Sequence, residues 1–168
     1  MNLIAPANIP EPGALMLAVF VSSAGGLVIR LQGLHRMSRF HRKLHPHHPI
    51  HITGRCNNRE RFPVPIGEAW EIFSDFLHIA HGEFQIIPLV FVLMPNHYHL
   101  ICRDPHLNLS RGVGYFMKES SREMGRSAGR INRIWGERFY SSILSNPLYY
   151  MHAYRYTYQN PVAAGLCE

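Results

Sequence analysis

Leu93-Met94-Pro95-Asn96-His97-Tyr98-His99-Leu100-Ile101-Cys102 is the stretch from which the rest of the chain is read. It follows an apolar run, Ile86-Ile87-Pro88-Leu89-Val90-Phe91-Val92, breaks at Pro95-Asn96, and resumes as a second β-prone segment. Side chains alternate along a strand, so His97 and His99 share one face while Tyr98 and Leu100 share the other. Two imidazoles converging from a rigid strand suit a divalent metal, because neutral imidazole is a common nitrogen ligand and the strand fixes both rings at little entropic cost. A bare His-x-His is weak evidence, since two half-exposed histidines with satisfied hydrogen bonds give the same pattern.

Outward from the hairpin, the elements fall into a simple order. Residues 50–55 read as a strand, followed by the polar turn Asn57-Asn58-Arg59. Residues 67–81 place Ala69, Trp70, Phe73, Phe76, Leu77 and Ala80 at three- and four-residue spacing, which predicts an amphipathic helix. The paired strands are expected over 84–93 and 98–103. A second helix over 109–125 has Leu109, Val113, Phe116, Met117 and Met124 on one face and Arg111, Lys118 and Arg122 on the other, with Arg126 just beyond. Residues 138–144 read as a strand, with Trp135 and Phe139 in the core. Asn146-Pro147 then opens a last helix with a capping residue and a proline at the first position. That helix is expected to run to about Asn160, where Pro161 ends or kinks it. The order predicts an α+β fold, an antiparallel sheet with helices packed against it.

At 168 residues the chain reads as one domain, and 46% hydrophobic with 17% charged residues places it among globular rather than disordered sequences. A formal charge of +6 favours a polyanionic partner without proving one. Cys56, Cys102 and Cys167 are too few, and wrongly spaced, for a disulfide framework or a zinc knuckle, so a cytoplasmic location is expected. The uncharged run 14–29 is short and interrupted by Ser22-Ser23-Ala24-Gly25-Gly26, which argues against a spanning helix, and no Lys or Arg precedes it as a signal peptide requires. The tract His41-Arg42-Lys43-Leu44-His45-Pro46-His47-His48-Pro49 reads as a solvated, basic linker.

Met94-Pro95-Asn96-His97-Tyr98-His99-Leu100 closely resembles the HUH motif (His, bulky hydrophobic, His) of the single-tyrosine HUH transposases, especially the REP-associated tyrosine transposases. Three further blocks match in order. His51-Ile52-Thr53-Gly54-Arg55-Cys56-Asn57-Asn58-Arg59 is similar to the family's first strand and turn, with Cys56 where glycine is usual. Trp135-Gly136-Glu137-Arg138-Phe139-Tyr140 and Tyr156-Thr157-Tyr158-Gln159-Asn160-Pro161-Val162-Ala163-Ala164-Gly165-Leu166 resemble its remaining signatures. The resemblance covers about 48–168 and divides the chain into an extension or linker, 1–47, and a transposase domain, 48–168. Met37-Ser38-Arg39 resembles the usual start of family members, which implies that 1–36 is non-essential.

The resemblance implies a ferredoxin-like fold with both histidines on a central strand, and a nuclease that cuts and rejoins single-stranded DNA beside a hairpin. Breaking a phosphodiester needs an in-line nucleophile and neutralisation of charge on the phosphate. His97 and His99 would hold Mg²⁺ or Mn²⁺, and a tyrosine would supply a phenolate that conserves the bond as a covalent ester. Composition does not choose among Tyr149, Tyr150, Tyr154, Tyr156 and Tyr158. Counting from the matched Asn160-Pro161-Val162 block, the family's nucleophile falls on Tyr156. Asn160, four residues on and so on the same helical face, is its expected companion at the metal. Arg55, Asn57, Asn58, Arg59, Lys118, Arg122 and Arg138 are the expected DNA contacts, with Arg138 also a candidate to orient the metal or phosphate side of the site. The implied protein is a monomer or homodimer without membrane contact. Two rivals stand beside it: a catalytically degenerate DNA-binding remnant, and a metal-dependent phosphoesterase that uses water in place of tyrosine.

Overall fold

The computed structural model describes residues 42–166; the run at 14–29, the Met37 start and Cys167 lie outside the described residues. Four strands and three helices follow in the order β1 (Ile50–Arg55), α1 (Ile66–Phe84), β2 (Ile87–Met94), β3 (His97–Arg103), α2 (Leu109–Ser127), β4 (Tyr140–Ile143) and α3 (Pro147–Ala163), with a short 3₁₀ turn at Asn57–Arg59. The strands form one antiparallel sheet in the order β2-β3-β1-β4. This is the ferredoxin-like arrangement: β3 lies between β1 and β2, and each βα unit crosses over the same face of the sheet.

Alternation along the strands sorts the two faces. Ile50 and Ile52 of β1, with Tyr98, Leu100 and Cys102 of β3, point into a core completed by Phe73 and Ala69 of α1 and Val113, Phe116 and Met124 of α2. Tyr98 is fully buried among the rings of Phe73, Phe91, Phe116 and Trp135. The Trp135 indole N–H donates to the Met117 carbonyl at 2.8 Å, so this half-buried ring has both its apolar body and its polar edge satisfied. Phe139 is buried as expected.

Element ends differ from the sequence reading by a few residues, each for a physical reason. Helix α1 continues to Phe84 because Gln85 adopts the left-handed conformation (φ 59°) and its N–H closes the last turn on Ala80 and His81. Strand β2 therefore starts at Ile87 rather than 84, and it tolerates Pro88 because it is an edge strand with a register shift at that point. Strand β4 is shorter than expected, and Arg138 precedes it. Helix α3 opens as predicted, the Asn146 side chain accepting from the Leu148 N–H, but it does not end at Asn160. Pro161 lies inside it, and the helix ends a turn later in a Schellman arrangement with Gly165 at φ 67°, the Gly165 N–H bonding Val162 O and the Leu166 N–H bonding Pro161 O. The tract before β1 is not a free linker. The Arg42 guanidinium donates to the Phe139 carbonyl at 2.6 Å and lies 3.5 Å over that ring, while Leu44 packs against the core.

Candidate functional site

The face of the sheet opposite α1 and α2 carries His51, Thr53 and Arg55 from β1 and His97, His99 and Ile101 from β3, as the two-residue period requires. Antiparallel register sets Arg55 opposite His97 and Thr53 opposite His99. Helix α3 packs on this face, against β2. Ile101 is fully buried there and His99 almost so.

Helix α3 brings two of its side chains to His99. The Tyr156 ring meets the His99 imidazole edge to face at a centroid distance of 5.5 Å, and the Asn160 amide nitrogen lies 2.9 Å from His99 Nε2. The two residues are one helical turn apart, so a single placement of α3 positions both. His97 and His99 stand side by side with ring centroids 5.1 Å apart. His97, His99, Tyr156 and Asn160 are therefore assembled in one place by two elements.

Two residues in the immediate surroundings were not among the candidates read from sequence. Asn96, read only as a turn residue, places its Oδ1 2.7 Å from His97 Nδ1 and donates its amide nitrogen to the Arg59 carbonyl. His51, read only as part of a strand, places its Nε2 3.0 Å from His99 Nδ1, with the two rings stacked at 14°. The period-two pattern put His51 on a definite face; what sequence alone lacked was the register that makes that face the one bearing His97 and His99.

All three imidazoles are held neutral. Burial is the first cause for each: it lowers His51, it lowers His97 with help from the Arg55 charge, and it pulls His99 down to about 3 with added repulsion from His51, His97 and Arg55. Neutral rings are the protonation state that a metal ion needs. Among the described residues no three His, Cys, Asp or Glu side chains cluster as a metal site.

The expected DNA contacts divide into two groups. Arg55 and the exposed turn Asn57, Asn58 and Arg59 follow directly at the His97 end of β1, and Asn58 and Arg59 hold positive φ. The segment leading to Arg138 is tied to the same end, Gly136 N–H bonding Arg55 O and Asn57 N–H bonding Ile134 O. Lys118 and Arg122 are instead on α2, in the layer across the sheet, where both pair with Glu119 at 3.0 and 3.2 Å. Cys56 has φ −61°, so a non-glycine residue is unstrained there; its buried thiol is pushed up to about 12.

Among solved structures, the chain is similar to a REP-associated tyrosine transposase bound to a REP hairpin, with a TM-score of 0.64 and 20% identity over 78% of this chain and 76% of that one. It is also similar to a candidate transposase from Deinococcus radiodurans, with a TM-score of 0.48 and 16% identity over 67% of this chain and 88% of that one. No protein-family profile matches the sequence, and no curated protein does. The first likeness fixes the class of fold: an α+β, ferredoxin-like sheet of the kind seen in a tyrosine transposase. No helix among the described residues is long and apolar enough to cross a membrane.

Proposed function

We propose that this chain is a transposase of the single-tyrosine HUH class, a cytoplasmic, cation-dependent nuclease and strand transferase acting on single-stranded DNA beside a hairpin. The observation that carries the reading is the meeting of the Tyr156 ring and the Asn160 amide with His99, beside His97. The fold neighbour is bound to a REP hairpin, which supports the same class of substrate here.

Tyr156 is 60% exposed, so its hydroxyl can reach a phosphate and lose its proton to solvent. The phenolate oxygen attacks phosphorus, a bond forms between phosphorus and Tyr156, and the bond from phosphorus to the 3′-oxygen breaks. That oxygen takes a proton and leaves as a 3′-hydroxyl, while the 5′-phosphate stays on the tyrosine as an ester. Attack by a 3′-hydroxyl on this ester reverses the step and joins strands. Arg55 and the turn that follows it would hold the strand at the His97 end, through phosphate contacts and the donor pattern of the asparagines.

The donor set fits a small divalent cation: two neutral imidazoles with Nε2 lone pairs suit Mn²⁺, and amide and phosphate oxygens suit Mn²⁺ or Mg²⁺. His97, His99 and Asn160 would hold it, and when bound it supplies charge neutralisation at the phosphate and the departing oxygen. The Asn160 amide nitrogen now occupies the His99 Nε2 lone pair, so cation binding and this hydrogen bond exclude each other.

The test is a denaturing gel of the protein incubated with labelled single-stranded hairpin DNA and Mn²⁺. A shifted covalent band from the parent, absent in Tyr156→Phe and absent with chelator, is the expected result. Cleavage by both proteins with no band would assign the site to water-based phosphoester hydrolysis, and binding without cleavage would assign it to a non-catalytic DNA-binding protein.

A further inference from the structure

The hydrogen bonds around His97 and His99 determine where their protons sit. Asn96 Oδ1 is a carbonyl oxygen and can only accept, so the His97 nitrogen facing it, Nδ1, carries the proton. The orientation of that amide is itself fixed, because its NH₂ donates to the Arg59 carbonyl at 2.8 Å. The His99 proton is located from the opposite ring nitrogen. The Asn160 NH₂ can only donate, so His99 Nε2 is an acceptor and the proton is on Nδ1. That proton is directed at His51 Nε2, 3.0 Å away, which must then be the acceptor nitrogen of a His51 ring protonated on Nδ1. Each imidazole of the pair is thus braced on Nδ1 by a side chain from a different part of the fold, His51 on β1 and Asn96 in the β2–β3 turn.

We propose that His51 and Asn96 are positioning residues that hold His99 and His97 in the Nδ1–H tautomer, so that one divalent cation, on displacing the Asn160 amide from His99 Nε2, meets a lone pair on both rings. The inference rests on the reading under Proposed function only for what the cation is used for; the tautomers follow from the orientations of the Asn96 and Asn160 amides. A histidine as the brace of another histidine has a specific consequence. Its acceptor is a neutral ring nitrogen rather than a carboxylate, so it orients the ligand without adding negative charge beside the phosphate-binding face.

Two measurements test this on the full chain. Long-range ¹H–¹⁵N correlation of ¹⁵N-histidine protein without metal reads each tautomer directly. The parent is expected to show Nδ1–H for both His97 and His99. His51→Phe keeps an aromatic ring but removes the acceptor; combined with Asn160→Leu, which removes the donor facing Nε2, it should shift His99 toward a tautomer mixture while leaving His97 unchanged, whereas Asn160→Leu alone should keep Nδ1–H on His99. Asn96→Leu should shift His97 and leave His99 unchanged. Titration with Mn²⁺, followed by calorimetry, should show binding weakened about 10–100-fold in His51→Phe and in Asn96→Leu, the range typical for removal of a partner behind a metal ligand. His51→Gln retains an acceptor oxygen and should recover most of that affinity, which a merely structural role would not produce.

A parent protein with His99 protonated on Nε2, or Mn²⁺ affinity unmoved in His51→Phe, overturns the positioning role while leaving the nuclease reading intact. Both tautomers present but no Mn²⁺ bound overturns the cation site itself, and the cation-dependent mechanism with it.

Discussion

A β-carbon on Gly54 would lie 2.5 Å from Cε1 of Tyr98, against a ring that is itself wedged among four aromatic neighbours. Gly54→Ala therefore has no cheap escape and should destabilise the fold by about 1–3 kcal/mol, the usual cost of overpacking, measured by urea unfolding. The Tyr98 hydroxyl and the Thr157 hydroxyl pull in the opposite sense, since both are buried with no hydrogen-bond partner among the described residues. Removing an orphaned polar atom while keeping the shape is neutral or favourable. Tyr98→Phe and Thr157→Val should leave stability unchanged or raise it by up to about 1–3 kcal/mol, the desolvation cost of one unpaired group; a clear decrease in either would mean that the hydroxyl has a partner, such as a buried water. His99 adds a pH dependence. Its unfolded value is 6.5 and burial brings the folded value to about 3. Above pH 6.5 both states are neutral and the group has no effect; between 6.5 and 3 the unfolded chain binds a proton that the folded chain refuses, so stability falls as pH falls. Unfolding midpoints at about pH 7.5 and about pH 5 should therefore differ more for the parent than for His99→Gln, which cannot titrate.

At the scale of elements, α3 matters most, because it is largely exposed yet carries Tyr156 and Asn160 to the sheet. Its start depends on the Asn146 cap; Asn146→Ala should cost about 1 kcal/mol in stability and lower covalent-adduct yield without altering which tyrosine reacts. The Pro161 carbonyl, the Val162 carbonyl and Gly165 form its end, and Gly165→Ala, forced to φ 67°, should fray that end beside Asn160. The order of elements was legible because each has its own period: two for 97–103, three to four for the helices. The His97/His99 face was legible for the same reason. The end of α3 was not, because Pro161 alone signals a stop, whereas a proline near the C-terminus removes only the donor to the Thr157 carbonyl and the Gly165 turn sets the true boundary. The roles of Asn96 and His51 were equally hidden. Residues 51 and 99 meet only through the antiparallel register of β1 and β3, a tertiary fact that no local spacing encodes.

At the scale of the molecule, and among the described residues, the sheet separates into two groups the basic residues that the sequence presents as one set of DNA contacts. Arg55, Arg59 and the segment before Arg138 gather at the His97 end, while Lys118 and Arg122 lie in the opposite helical layer beside Glu119. If DNA lies on the α3 face, Arg55→Ala and Arg59→Ala should each weaken single-stranded DNA binding and lower the slope of its salt dependence by about 0.7 for each phosphate left without its arginine, whereas Lys118→Ala and Arg122→Ala should move neither by as much. Equal effects from both groups would place the strand elsewhere. The most direct measurement is to digest the DNA from the protein–DNA adduct and locate the remaining nucleotide by peptide mass spectrometry. A nucleotide on Tyr156, joined through a 5′-phosphate, is the predicted result. DNA cut with no modified tyrosine, or a nucleotide on Tyr149, Tyr150, Tyr154 or Tyr158, would contradict the assignment of Tyr156 as the nucleophile beside His97 and His99.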